Sequence, residues 1–380
     1  MTEPPTGDPR ARRIVAVVVT FNRLALLQRL VARLREVTEV DEILVVDNAS
    51  TDGTGDWLVS TAEGPASTGA DVTPVLARTL THNRGGAGGF HDGLGWALER
   101  GADLAWLMDD DGIPAPDCLA LLLERDGFDF WGPAVLAEQD PSRLCFPIRL
   151  PGGTSVVHRM AEVELAARDG LVADVVIPFN GVLVTRDDLD FWGPAVLAEQ
   201  DPSRLCFPIR LPGGTSVVHR MAEVELAARD GLVEDVVIPF NGVLVTRDLV
   251  ERIGLPREEF FIWGDDVEYL WRARRAGARV ATVVDAHFLH PATDDLGTPM
   301  MFGRTTYNHS PSDLKHYCMA RNNLLNLRDY HGWPHALAFV AKTLWFYALT
   351  RPSVARLRLS ATAMGAGLRG DFTGHERFLR

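Results

Sequence analysis

The chain has 380 residues, 46% of them apolar, enough for a sizeable core that needs no disulfides. Its formal net charge of −13 excludes a general nucleic-acid binder, which needs a basic face against phosphates. Cys118, Cys145, Cys206 and Cys318 make no CxxC or CxxH pair, so no zinc site is expected and a reducing cytosol is the simplest setting.

Met1–Arg13 holds three prolines and no apolar run, and reads as a disordered tail rather than a signal peptide. Ile14–Thr20 (IVAVVVT) is a continuous β-branched run, the mark of a strand buried on both faces. Leu24, Leu27, Val31 and Leu34 follow at helical spacing. Ile43–Val46 predicts a second strand that ends in Asp47, and Val75–Leu80 a third. Gly89–Leu98 reads as a helix and Leu104–Met108 as a strand that runs into Asp109. Strands alternating with helices predict a parallel α/β sheet, whose ligands bind at the carboxyl ends of the strands.

The middle of the chain repeats itself. Asp129–Asp187 recurs as Asp190–Asp248, offset by 61 residues, with Ala173 against Glu234 as the only mismatch. Solenoid repeats diverge and come in larger numbers, so this is a recent tandem duplication or an artefact of sequence assembly. Each copy holds a strand-like FWGPAVL, a Gly-Gly turn and a strand-like VVIPFNGVLVT. One fold position needs one copy. The second runs directly into the later motifs, which favours its PFNG (Pro239–Gly242), whereas the first follows naturally from Gly127. The fold is therefore free to take its first strand from one copy and its last from the other.

Six polar motifs punctuate these elements. Asp109-Asp110-Asp111 closes a strand, and adjacent carboxylates repel one another unless a cation neutralises them. Asp109 and Asp111 share a side of an extended chain and suit a hard divalent ion that also binds diphosphate oxygens. The plain alternative is a solvated acidic turn. Asp47–Gly53 offers Asx and hydroxyl groups to a base or ribose, or is a turn with helix capping. Asn83–Gly89 (NRGGAGG) is a glycine-rich loop before a helix, suited to an anion, although the P-loop pattern is absent.

Phe260–Glu268 (FFIWGDDVE) precedes an arginine-rich helix. Asp265 with Glu268 resembles a capping box, and Asp266 falls in the first turn, where the helix dipole favours an ionised general base. Trp263 stacks on a sugar or packs in the core. His290 of HFLHP suits a metal, with His287 as its competitor. Arg321 in YCMARNN meets a phosphate or lies on a helix surface.

Beyond these, Ala336–Leu349 is the longest apolar stretch, interrupted by Lys342 and short of the ~20 residues of a membrane span. Trp333, Phe339, Trp345, Phe346 and Tyr347 lie beside a basic tail, Arg351 to Arg380. The combination fits docking on an anionic membrane surface, or a C-terminal helix packed on the core.

Taken in order, VVVTFNR, VVDNASTDGT, NRGGAGGF, WLMDDDG, PFNGVLVTR, FFIWGDDVEYLWRA, HFLHP and ARNN resemble a family 2 glycosyltransferase of the GT-A fold. The set covers most of Ile14–Asn323. It looks most like the galactofuranosyltransferases of actinobacterial cell-wall galactan, in particular the galactan-initiating type, with related rhamnosyltransferases sharing much of it.

The resemblance implies a mostly parallel nucleotide-sugar-binding sheet with helices on both faces, spanning 14–325. Residues 326–380 would form a C-terminal helical segment, for which membrane association and packing on the core both stay open. It implies donor contacts at Thr20, Arg23, Asp47, Asn48 and Asn83, metal ligands at Asp109, Asp111 and His290, and Asp110 against the sugar or phosphate. Asp266 matches the general base, with Asp265 as runner-up, and Trp263, Gly242 and Arg321 fall on the acceptor side. The implied partners are Mn²⁺ or Mg²⁺, UDP-galactofuranose or another nucleotide sugar such as dTDP-rhamnose, and a polyprenyl-diphosphate-linked glycan acceptor. The implied location is the cytoplasmic face of the membrane. The duplication departs from the family, and a sugar-nucleotide-binding protein without turnover is the alternative it raises.

Overall fold

A computed structural model describes residues 12–63, 72–125, 130–137, 140–144, 209–210, 217–218, 232–234, 240–291, 298–301 and 305–379. The chain forms two compact units. Met1–Asn83, Gly89–Leu255 and Arg272–Thr293 make the first; Arg84–Gly88, Pro256–Trp271 and Asp294–Arg380 make the second.

The first unit is built on a ten-stranded mixed sheet. Its strands are β1 (Ile14–Thr20), β2 (Glu42–Asp47), β3 (Val75–Thr79), β4 (Leu104–Asp109), β5 (Ile113–Pro114), β6 (Phe130–Ala137) and β7 (Asp140–Leu144). After the two-residue strands β8 (Ile209–Arg210) and β9 (Val217–Val218), which pair with each other, come β10 (Leu232–Glu234), β11 (Asn241–Thr246) and β12 (Ala281–His290). The order is β10-β12-β6-β11-β4-β1-β2-β3, with β5 beside β12 and β7 beside β6.

Strands β1 to β4 form a parallel half, and every residue of β1 and β2 is buried, as their unbroken apolar runs require. The antiparallel β11 joins this half to the parallel pair β6 and β12. The α/β sheet expected from the alternating pattern is therefore present.

Helices α1 (Leu24–Leu34), α2 (Thr54–Glu63), α3 (Gly85–Glu99), α4 (Cys118–Leu123) and α5 (Arg247–Ile253) connect the strands. Helix α3 begins four residues before the predicted Gly89, so the glycine-rich stretch is its first turn rather than a loop. Glycine is needed there for close approach. A methyl group at Gly89 or Gly93 would run into Val19 or Val17 of β1.

The sheet draws on both copies of the repeat. Strand β6 opens the first copy and β11 closes the second, and they pair antiparallel, Leu244 opposite Trp131 and Val245 opposite Phe130. The first copy's VVIPFNGVLVT, the second copy's FWGPAVL, both Gly-Gly turns, Cys145, Cys206 and residues 1–11 lie outside the described residues.

The second unit is mostly helical. It contains the first turns of α6 (Asp265–Arg275), then the hairpin β13 (Thr298–Met300) and β14 (Thr305–Tyr307). Helices α7 (Asp313–Asn326), α8 (Trp333–Trp345) and α9 (Val354–Leu368) follow. Its core gathers Phe261, Tyr317, Cys318, Leu324 and Met364 on one side and Met300, Tyr307, Met319, Phe346 and Tyr347 on another. Phe346, Tyr347 and the half-buried Phe339 thus pack inward, whereas Trp333 and Trp345 are exposed. Among the described residues no helix is long and apolar enough to cross a membrane.

Candidate active site

The aspartate triplet sits where β4 leaves the sheet. Asp109 ends the strand and is half-buried, and its backbone N–H donates to Phe240 O. Asp110 is buried. Thr20 Oγ1 donates to its Oδ2 at 2.6 Å and Arg23 Nη1 to its Oδ1 at 3.0 Å. Burial pushes the Asp110 carboxyl up to about 6, the neighbouring Asp111 adds to this, and Arg23 and Thr20 oppose it. The position expected to face sugar or phosphate is therefore turned inward, where it braces Thr20 and Arg23.

Arg23 Nη1 also donates to Asp111 Oδ2 at 2.6 Å, and His290 Nε2 lies 3.2 Å from Asp111 Oδ1. Burial raises the Asp111 carboxyl, but His290 and Arg23 outweigh it and hold the group well below the usual carboxylate range. His290 Nδ1 lies 2.7 Å from Pro291 O, an atom that only accepts, so Nδ1 carries hydrogen. Nε2 is then the ring nitrogen that faces Asp111.

Asp111 Oδ1 is buried beside the His290 ring. This donor set fits a hard divalent cation, since Mg²⁺-type sites commonly use one or two protein ligands and complete their shell with phosphate oxygens and water. Asp109 does not close the expected cage, because no three His, Cys, Asp or Glu side chains converge among the described residues. Of the two histidines, His290 is the one brought to the triplet.

The loops after β1 and β2 interlock. Asn22 N donates to Ser50 Oγ, Thr51 N donates to Asn22 Oδ1, and Leu24 N donates to Asp52 Oδ2. Asp52 also accepts from the amide and hydroxyl of Thr54 at the start of α2, and these bonds lower its pKa. The capping reading of this stretch thus holds for Asp52. Asp47 differs. It is fully buried, its Oδ1 accepts from Ser50 N, and its Oδ2 has no partner among the described residues. A buried carboxylate oxygen left unpaired is costly unless a ligand completes it. Asn48, also buried, follows it, and Asn83 lies between β3 and α3.

In the second unit, residues 261–264 present Asp265 and Asp266 through an uncommon backbone. Phe261 (φ 64°), Trp263 (φ 73°) and Gly264 (φ 84°) are all left-handed, a conformation that bulky aromatic residues rarely adopt. Helix α7 holds them there. Asn322 Nδ2 donates to the carbonyls of Phe260, Ile262 and Trp263, Asn326 Nδ2 to Gly264 O, and Arg321 Nη2 to Phe260 O.

Asp265 is the first helical residue of α6 rather than its cap, and Glu268 accepts from Tyr330 OH at 2.6 Å. Burial pushes the Asp265 carboxyl up to about 7, with backbone N–H groups pulling it down and Glu268 adding to the rise. Asp266 is half-buried, and its Oδ1 accepts from Val267 N at 2.6 Å.

Comparison with known proteins gives this geometry a family. The description "Glycosyl transferase family 2" matches residues 15–145. Galactofuranosyltransferase GlfT1 of Mycobacterium tuberculosis is 31% identical over 312 residues, covering 81% of this chain and 80% of that protein. The chain belongs to glycosyl transferase family 2. The GlfT1 of Mycolicibacterium smegmatis is 28% identical over 316 residues, 81% of each chain. Among solved structures, a mannosyltransferase from Pyrobaculum calidifontis in complex with GDP-Man and Mn²⁺ superposes with a TM-score of 0.44 at 15% identity, over 98% of this chain and 80% of that one.

Two residues expected on the acceptor side of this glycosyltransferase have structural duties instead. Gly242 is buried at a bulge of β11 with φ 80°. Its carbonyl accepts from Trp106 Nε1, and a side chain there would strike Phe288. Arg321 has no exposed surface, and its guanidinium donates to Asn322 Oδ1 and to the carbonyls of Phe260 and Phe372. Trp263 is half-buried and packs against both clusters of the second unit.

The motifs assign no role to Asn322 and Asn326, whose amides position the left-handed loop. Their signal was an asparagine pair at i and i+4 on the helix of Arg321. Asn241, within the PFNG motif, is fully buried, with neither end of its amide hydrogen-bonded among the described residues.

Proposed function

We propose that this glycosyltransferase transfers galactofuranose from UDP-galactofuranose to a polyprenyl-diphosphate-linked glycan at the cytoplasmic face of the membrane, with inversion at the anomeric carbon. The observation that supports a metal-dependent nucleotide-sugar site most directly is the buried Asp111 carboxylate at the end of β4, with His290 Nε2 3.2 Å from its Oδ1. Asp111 and His290 would hold Mn²⁺ or Mg²⁺, with Asp109, two residues before Asp111, left outside the pair. The bound cation would supply charge neutralisation for the diphosphate that leaves.

Asp47, with an unpaired buried oxygen, and Asn48, Thr20, Arg23 and Asn83 are assigned to the nucleotide. Asp266 is assigned as the base that takes the acceptor hydroxyl's proton. It is preferred to Asp265 because Asp265 is buried, whereas Asp266 is only half-buried. A single displacement of this kind forms no covalent glycosyl-enzyme. The donor sugar follows the similarity to GlfT1 over 81% of the chain.

The test is turnover with UDP-galactofuranose and with dTDP-rhamnose, each offered with a lipid-linked acceptor and Mn²⁺. Transfer from UDP-galactofuranose alone is expected, and transfer from dTDP-rhamnose alone would replace the donor assignment. The repeated segment favours a second reading, a nucleotide-sugar binder without turnover. Deleting residues 138–198 joins Ala137 to Glu199, the repeat of Glu138, and retains both β6 and β11. Turnover in the shortened chain but not in the full one would support the second reading.

A further inference from the structure

Helix α8 and the π-helical turn that continues it, Phe346–Thr350, carry two opposite faces. Ala336, Thr343, Phe346 and Tyr347 are buried in the second unit. On the other side, every fourth residue from Trp333 through Leu337, Ala341, Trp345 and Leu349 is exposed, and Leu344 lies beside this row. The large side chains are far from covered: Trp333 is 54% exposed, Leu337 60%, Leu344 54% and Leu349 62%. An unbroken apolar stripe over four turns is more than the scattered surface leucines of ordinary proteins.

The charge around this stripe is as unusual as its exposure. The chain contains 51 Asp and Glu, yet none falls between Tyr330 and Gly370, where Lys342, Arg351, Arg356, Arg358 and Arg369 are found. A protein of net charge −13 thus presents its apolar stripe within a purely cationic segment. A second copy of the chain is a poor occupant. A twofold interface would bring this cationic segment against itself with no acid of its own to match it, although Arg356 pairs with Asp313 of α7. An anionic bilayer surface matches both features: acyl chains for the stripe, and lipid phosphates for the cations. Trp333 and Trp345 mark the two ends of α8, and tryptophan is favoured at the headgroup level.

We propose that α8 lies flat in the interface of an anionic membrane, with Trp333, Leu337, Leu344, Trp345 and Leu349 inserted among the lipids. This rests on the reading of a lipid-linked acceptor, for which it names the docking element.

Sedimentation of the full chain with phosphatidylcholine vesicles, and with vesicles that also contain phosphatidylglycerol, tests it. Partitioning at least ~10-fold stronger onto the anionic vesicles is expected. Combining Leu337→Ser with Leu349→Ser is expected to weaken that partitioning ~10-fold or more, with an unchanged melting temperature. Equal sedimentation with both vesicle types, or a double variant that binds as the parent does, would overturn the proposal. So would a dimer in the ultracentrifuge that the same double variant converts to monomer. Turnover with a detergent-dispersed acceptor is read separately. Its absence beside intact vesicle binding would sink the acceptor assignment and support docking, and turnover without vesicle binding would sink docking alone.

Discussion

Two acidic sites in this glycosyltransferase are held by opposite means. The triplet at the end of β4 is governed by side-chain charge. Arg23 reaches Asp110 and Asp111, His290 faces Asp111, and Thr20 donates to Asp110. The pair at the start of α6 is governed by backbone shape. The amides of Asn322 and Asn326 grip the carbonyls of a left-handed loop, and the aspartates follow from where that loop ends. In the first site a change of charge is the damaging change. In the second, a lost amide donor is damaging even where no charge is touched.

Replacing one carboxylate in each site makes the sharpest contrast. Asp111→Asn is expected to remove Mn²⁺-dependent binding of UDP in calorimetry, because the oxygen facing His290 loses its charge. Asp266→Asn is expected to leave that binding intact while turnover falls ~10³-fold, within the range of general-base removal. If both variants lose nucleotide binding alike, the division of labour between the sites fails.

A smaller effect is expected at Asn322, which touches no reacting atom. Asn322→Ala removes the side-chain donor to the carbonyls of Ile262 and Trp263, while Phe260 O keeps Arg321, and a loop displaced by about 1 Å costs on the order of 10²-fold in kcat. KM for the nucleotide sugar is expected to stay constant, and Asn322→Gln to recover part of kcat. A parallel loss of nucleotide affinity and kcat would mark Asn322 as a general stability residue and blur the contrast.

The smallest effect concerns Asp265 and pH. Its carboxyl titrates at about 7 in the folded chain against an ordinary value of 3.8. The folded state therefore keeps a proton that the unfolded state releases. This contribution to stability is full below about pH 4 and is lost as pH rises through 7. Asp265→Asn should remove the slope, and thermal melts of the variant at pH 8 should exceed those of the parent by on the order of 2 kcal/mol. Parallel melting curves from pH 5 to pH 8 would show that Asp265 is ionised throughout.

The sequence by itself determined the strands of the parallel half, since Ile14–Thr20 and the run through Val46 are apolar without interruption and have no alternative to burial. It also determined the family, because eight motifs in one order constrain far more than any single acidic turn. What the chain could not express locally was decided by tertiary structure. The inward turn of Asp110 depends on Thr20 and Arg23, some ninety residues earlier. The duties of Gly242 and Arg321 depend on Trp106 and on the carbonyls of Phe260 and Phe372, again remote in sequence.

The repeat is the extreme case. Its copies are almost identical, so no local preference distinguishes them, and among the described residues the sheet pairs β6 of the first copy with β11 of the second. Likewise the aromatic segment near the C-terminus reads as one apolar run, and packing alone separates the buried Phe346 and Tyr347 from the exposed Trp333 and Trp345. Local pattern fixes the buried strands β1 and β2, and the contacts between distant segments fix which aromatic residues leave water, which polar groups are consumed by the fold and which are left over for a ligand.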